Sequence, residues 1–315
     1  MENMFAPPDP DRQRGAFLGL AAGDAVGTTL EFRAPGSFEP IDDMLGGGPF
    51  RLPRGAWTDD TSMAACLAKS LIERRGFDPD DQMRRYLDWY RNGRWSSTGT
   101  CFDIGGATAS ALRRYERDRE PYSGSTDPYS AGNGSLMRLA PVPIAFGHDP
   151  ERAVHLAADS SRTTHGATTC LDACRVFAAL LVGAMRGVPR DELLSSGASP
   201  VAPLWGHELH PEIAAVAHGS YLTKEPPDIR GRGYVVDSLE ASLWAVNRNH
   251  DYRTTVLAAA NLGDDADTTA AIAGQLAGAL YGASAIPTDW LERLALRAEL
   301  EALADGLVTL SETVR

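Results

Sequence analysis

The sequence predicts an all-α fold, and three observations carry that prediction. Almost every well-patterned segment repeats its apolar residues at helical spacing. No convincing run alternates β-branched and polar residues, as a half-buried strand would. Several apolar segments are dense in Ala and Gly, small residues that let neighbouring helices pack closely. No linker-like shift in composition divides the chain, so one compact domain over residues 1–315 is expected. Residues 1–11 are expected to form a loose N-terminal tail.

The first helix falls within 12–32, "RQRGAFLGLAAGDAVGTTLEF". The next covers 61–76 and stops at Gly76; the amphipathic segment 79–93 ends at Gly93, as helices often do. Further helices are expected at 105–118, 150–166, 167–187, 233–249, 251–263, 267–282 and 289–310. Segment 267–282 is apolar nearly all round, which places it at the centre of the domain. "GLAAGDAVG" (19–27) has the same texture with Asp24 inside it; a buried aspartate needs partners, so Asp24 reads as a hydrogen-bond hub. Two long irregular stretches, 33–57 and 119–135, lead into the chemically loaded segments and read as functional loops.

The net charge of −12 argues against a nucleic-acid backbone as partner, because phosphate neutralisation needs a basic face. It leaves room for a small phosphate ligand held by backbone N–H groups, and it favours metal cations. The four cysteines form no CxxC pair and read as free thiols in a reducing compartment. The N-terminus shows no basic leader before an apolar core, and the most lipid-like run, 176–185, is too short to span a bilayer. A cytoplasmic protein is the expectation. With no heptad or large exposed apolar stripe visible, so is a monomer.

Two helix starts carry more acid than a cap needs. Residues 57–62 read "WTDDTS" and residues 264–269 read "DDADTT". Capping and helix-dipole effects account for one Asp or Thr per helix. They do not account for acids packed before the most buried helix, where like charges raise one another's pKa values unless a cation compensates. Carboxylate and hydroxyl oxygens are hard ligands that suit Mg²⁺ or Mn²⁺ better than zinc. Elsewhere, "SAGNGSLMRLAP" (130–141) is a glycine-bracketed turn able to expose N–H groups to phosphate or ribose oxygens. "TCFDIGGAT" (100–108) sets Asp103 before a small-residue helix, and "RTTHG" (162–166) puts His165 at a helix end.

In this order, "GLAAGDAVGTTLEF", "WTDDTSM", "CFDIGGAT", "GNGSLMRLAPVP", "RTTHG" and "NLGDDADTTAAIAGQLAGALYG" resemble the ADP-ribosylglycohydrolases, over about residues 12–285. The resemblance implies an orthogonally packed helical bundle with a binuclear Mg²⁺ centre, Mn²⁺ being the alternative, in a cleft. It implies removal of ADP-ribose from a modified protein or small conjugate, through an arginine, serine or other linkage. Matching motif positions assign Thr58, Asp59, Asp60, Asp265, Asp267 and Thr268 to metal. Glu31, Asp60 and Asp103 become candidates for catalysis. Phe102, Asp103, Gly132, Asn133, Gly134, Ser135, Leu136, Met137, His165 and Tyr234 become candidates for holding ADP-ribose. Asp264 stands where many members have glycine, and spacing to Thr268 favours Asp265 and Asp267 as ligands. The alternatives are a non-catalytic ADP-ribose binder and a metal-dependent nucleotide phosphohydrolase.

Overall fold

The computed structural model describes residues 6–196, 199–206 and 208–314. Among the described residues there are fourteen α-helices and no strands, only isolated bridges. The first four are α1 (Pro10–Gly27), α2 (Asp59–Arg74), α3 (Pro79–Asn92) and α4 (Gly106–Asp118). Then come α5 (Pro141–Phe146), α6 (Pro150–Arg162), α7 (Thr168–Met185), α8 (Arg190–Leu193) and α9 (Pro211–Ala217). The chain closes with α10 (Val235–Arg248), α11 (Tyr252–Ala260), α12 (Ala266–Tyr281), α13 (Thr288–Arg293) and α14 (Arg297–Thr313).

Helix α1 begins before the expected position because Asp9 caps it. The Asp9 side chain accepts from the N–H groups of Asp11 and Arg12, and Pro10 opens the first turn. Asp9 also donates its own N–H to the Met185 carbonyl at 2.8 Å, and Pro8 is buried. Residues 8–11 are therefore docked on the fold, not part of a loose tail; residues 1–5 lie outside the described residues.

The centre of the molecule is the antiparallel pair α1 and α12. Gly15, Gly19, Gly23 and Gly27 face Gly278, Gly274, Ala270 and Ala266 in turn. A Cβ on any of those α1 glycines would sit 2.2–2.4 Å from a carbonyl oxygen of α12. Four-residue spacing keeps all these contacts on one face of each helix. The pairing brings the C-terminal end of α1, with Asp24, against the acidic start of α12.

The 289–310 segment is two helices, not one. Leu296 takes a left-handed conformation (φ 50°) between them. The loop before α2 explains the break: Ala295 donates its N–H to the Gly55 carbonyl and accepts from Trp57 Nε1. Gly55 is required there, since it has φ 89° and its Cβ would overlap the Arg293 carbonyl. The rest of 33–57 is similarly tied. Asn261 brackets the Ile41 backbone at 2.8 and 2.9 Å, and Asp43 accepts from Trp290 Nε1 at 2.6 Å. The second loop is pinned by bonds from Gly124 to Arg162 and from Gly166 to Ser125. A third irregular region, with the short helices α8 and α9, occupies the span between α7 and α10 and gave no sequence signal.

Helix α7 is longer than the apolar run that marks it. Its 18 residues are long and apolar enough to cross a membrane, but 83% of them are buried inside the fold. It carries Cys170 and Cys174, which like Cys66 are buried free thiols; Cys101 is half-buried and also free.

Candidate active site

Neither acidic segment caps its own helix. At the start of α2 the capping is done from α1: Asp24 accepts from the N–H groups of Thr58 (2.9 Å) and Thr61 (3.0 Å), and from the Thr61 hydroxyl at 2.6 Å. Asp24 is thus the hub its burial demanded. The oxygens of Thr58, Asp59 and Asp60 are left free of capping duty. At α12, Asp265 occupies the N-cap position but caps nothing; Asn133 Nδ2 donates to its carboxylate at 2.8 Å.

The freed oxygens converge. Thr58 Oγ1 lies 2.9 Å from Asp24, 3.1 Å from Asp60 and 3.0 Å from Asp267. One hydroxyl proton cannot serve three carboxylates. Thr268 adds a hydroxyl 3.4 Å from Asp60. Carboxylate oxygens of Asp24, Asp60 and Asp267 lie within 4.8 Å of one another, as do those of Glu31, Asp103 and Asp267. Glu31 reaches the cluster because its segment is laced to the second acidic start: Phe32 donates N–H to the Asp264 carbonyl and Asp264 returns one to Arg33, at 2.7 and 2.8 Å. Phe32, Asp103 and Asp264 all have positive φ of 54–60°, a concentration of backbone strain around one site.

Burial dominates the electrostatics. It raises Asp59, Asp60 and Asp267 well above the usual carboxylate range, and neighbouring carboxylates push the same way. Burial, then the charge of Asp103, drives Glu31 up to about 10; burial also takes Asp103 up to about 7. Asp24 and Asp265 are raised too, burial outweighing the hydrogen bonds each receives.

The buried oxygens Asp60 Oδ1, Asp267 Oδ1 and Glu31 Oε2 have no hydrogen-bond partner among the described residues. Orphaned buried carboxylate oxygens, hard donors on two acid groups that share Asp267, fit a divalent cation of the Mg²⁺ or Mn²⁺ type. The cluster lacks the thiolate and imidazole ligands that zinc prefers.

The cluster forms one wall of a cleft of about 900 Å³. Glu31, Asp59, Asp103, Asp265, Asp267 and Thr268 line it, together with Gly132, Asn133, Gly134, Met137 and His165. Asp264 lines it as well and is half-buried. Thr58 and Asp60 lie beneath, within the cluster.

Four expected ligand-facing residues do not line the cleft. Leu136 and Ser135 point into the core, because the Asn133 carbonyl accepts from the N–H groups of both Leu136 and Met137 and turns the chain helically. Ser135 Oγ instead accepts from Ser161 at 2.8 Å. Phe102 backs Phe50, edge to face at 5.2 Å, and it is Phe50, with Phe32, that lines the cleft. Tyr234 sits in a neighbouring hollow with Tyr129 and Glu212 and donates its hydroxyl to Glu212 at 2.8 Å; Gly132 and Gly233 border both spaces.

The structure adds residues that the sequence did not single out as lining. Gly105, Gly106, Ala107 and Thr108 bring the N-terminus of α4 to the cleft, without a side-chain cap. Of the glycine turn, the N–H groups of Gly132, Asn133, Leu136 and Met137 are already bonded, and of the rest Gly134 lines the cleft. Arg232 supplies an exposed cation at the rim. "GGAT" at a helix start was a usable signal for the α4 contribution; a lone arginine in a polar loop was not.

An all-α fold with a cleft of this size, walled on one side by buried acids and on the other by a glycine turn, suits a hydrolase acting on a nucleotide-like group. The chain belongs to the ADP-ribosylglycohydrolase family, whose model matches residues 6–315. It is 45% identical to ADP-ribosylarginine hydrolase Tri1 of Pseudomonas putida, over 94% of this chain and 78% of that protein. It is 32% identical to the ADP-ribosyl-[dinitrogen reductase] glycohydrolase of Rhodospirillum rubrum, over 95% of each chain. A solved structure described as an ADP-ribosylglycohydrolase-related protein complex superimposes with a TM-score of 0.85 at 48% identity, covering 96% of this chain and 98% of that one.

Proposed function

We propose that the protein hydrolyses the glycosidic bond between ADP-ribose and a modified protein side chain, arginine first among the acceptors, with two Mg²⁺ ions (or Mn²⁺) in the acid cluster. The observation that carries this reading is the set of orphaned carboxylate oxygens at the wall of the cleft. The arginine preference is supported by the names of its relatives. Thr58, Asp59, Asp60, Asp265, Asp267 and Thr268 would hold the ions, and Asp24 fixes Thr58 and Thr61 behind them. Divalent cations at that place supply a field that orients ribose oxygens and acidifies water.

The chain's own residues do the remaining work. The Gly134 N–H group and the uncapped first turn of α4 face the diphosphate, with Arg232 at the rim. The carboxylates opposite stabilise positive charge developing at C1 of the distal ribose. The C1–N bond to the guanidino group breaks, a C1–O bond to water forms, and the leaving nitrogen gains a proton. Glu31, at the cleft wall beside Asp103 with its Oε2 unbonded, is the proton carrier between the attacking water and the leaving nitrogen.

The test is incubation with ADP-ribosylated arginine and serine peptides, with Mg²⁺ and with EDTA. The expected result is intact ADP-ribose released from the arginine peptide and abolished by EDTA. Release from neither peptide by folded protein overturns the hydrolase reading. Release of AMP or phosphate instead identifies a phosphohydrolase.

A further inference from the structure

Arg138 is a fully buried cation with no carboxylate in ion-pair distance among the described residues. Its guanidinium lies over the Tyr86 ring, 4.7 Å from the centroid. Nη1 donates to the Gly134 carbonyl at 3.0 Å. Nη2 donates to Thr164 Oγ1 at 2.7 Å and to Thr163 Oγ1 at 3.1 Å. Keeping an unpaired charge dry costs several kcal/mol, on the order of what a broken buried ion pair costs. Two of its contacts lead to the cleft.

Thr164 Oγ1 stands between Arg138 and His165 Nδ1, at 2.8 Å from the latter. A guanidinium only donates, so Oγ1 must accept from Arg138. Thr164 is wholly buried, and its own proton needs an acceptor; His165 Nδ1 is the acceptor within reach. Nδ1 then carries a lone pair, and the ring proton sits on Nε2. Nε2 faces the glycine turn: a Cβ at Gly134 would lie 3.2 Å from it and one at Gly132 3.5 Å. Burial, and the charge of Arg138, hold His165 down to about 3, so the ring is neutral at working pH.

We propose that Arg138, acting through Thr164, locks His165 as the Nε2–H tautomer, giving the cleft a fixed neutral donor to a ligand oxygen, while it pins the Gly134 carbonyl of the ligand-facing turn. Arg138 and Thr164 are thereby positioning residues. The identity of the ligand rests on the proposed function; the tautomer does not.

Long-range ¹H–¹⁵N correlation spectra of ¹⁵N-histidine-labelled protein read the tautomer directly. Wild type should show a protonated Nε2 and a bare Nδ1 from about pH 5 to about pH 8. Thr164→Ser should keep that pattern and ADP-ribose affinity. Thr164→Val should move the Nδ1 ¹⁵N shift to that of a lone pair without its hydrogen bond and weaken ADP-ribose binding about tenfold. A wild-type ring protonated at Nδ1, or an unchanged Nδ1 shift in Thr164→Val, overturns the proposal; the wild-type spectrum decides even if the valine variant fails to fold. The expected spectra without ADP-ribose binding in any variant would instead remove the proposed function and leave the tautomer relay standing.

Discussion

At the scale of single residues, the site depends on which oxygens are spent on structure and which are not. Asp24 takes over the capping of α2, and that frees Thr58 and Asp60 to meet Asp267. Glu31 joins them from outside the two acidic helix starts, with an orphaned Oε2 at the cleft wall next to Asp103. Glu31→Gln keeps the shape and removes the transferable proton. It should lower kcat by about 10²- to 10⁴-fold while calorimetry shows Mg²⁺ affinity little changed. Asp60→Asn and Asp267→Asn should instead lose Mg²⁺ binding and turnover together, with the helical circular-dichroism signal kept; wild-type turnover in either would remove that ligand. Most of this set was legible because its acids are adjacent in sequence and exceed what capping needs. The role of Asp24 was only half legible: its burial was readable, its capping of another helix was not, since that contact spans 34 residues. Ser135 and Leu136 misled because a motif names a stretch, whereas a helical turn sends its side chains to different sides.

Among the elements, the α1–α12 pair sets the distance between the two acid clusters. The glycine ladder lets the two backbones touch, and Gly27 presses on the backbone of Asp267 itself, a Cβ there lying 2.4 Å from the Asp267 Cα. A side chain in the ladder has nowhere to go, because its neighbours are backbone atoms and not flexible side-chain ends. Gly274→Ala, whose Cβ would stand 2.2 Å from the Gly19 carbonyl, should cost about 2–4 kcal/mol in urea unfolding and weaken Mg²⁺ binding as the helices part. Gly76→Ala, with open space around it, should be near neutral in the same measurement. The long helices were readable from periodicity, and α12 was readable as central from its all-round apolarity. The short helices α5, α8 and α9 were not, since helices below about 12 residues take their stability from tertiary packing that a local pattern does not record. The break between α13 and α14 was hidden for the same reason: its cause is Gly55, far off in sequence.

For the molecule as a whole, a net charge of −12 is carried by a fold that buries several of its acids beside one another. That arrangement ties stability to pH and to cations. Burial first, and neighbouring charge, hold Asp103 up to about 7 and Glu31 up to about 10 in the folded chain, against ordinary values of about 4 when unfolded. An acid raised in this way binds its proton more tightly folded than unfolded. Its contribution to stability is therefore complete below about pH 4 and is lost as pH rises through about 7 and on towards about 10. In EDTA the melting temperature should fall between about pH 6 and about pH 9 as the cluster is forced to ionise. On the proposed function Mg²⁺ would take the place of the protons, so added Mg²⁺ should raise the melting temperature, and by more at the alkaline end, because cations bind the ionised carboxylates. Calorimetric scans at matched ionic strength, with Na⁺ replacing Mg²⁺ as the control, separate site binding from general screening of the −12 charge. Equal gains from both salts would mean that the acids are merely screened and that no ion is held between them.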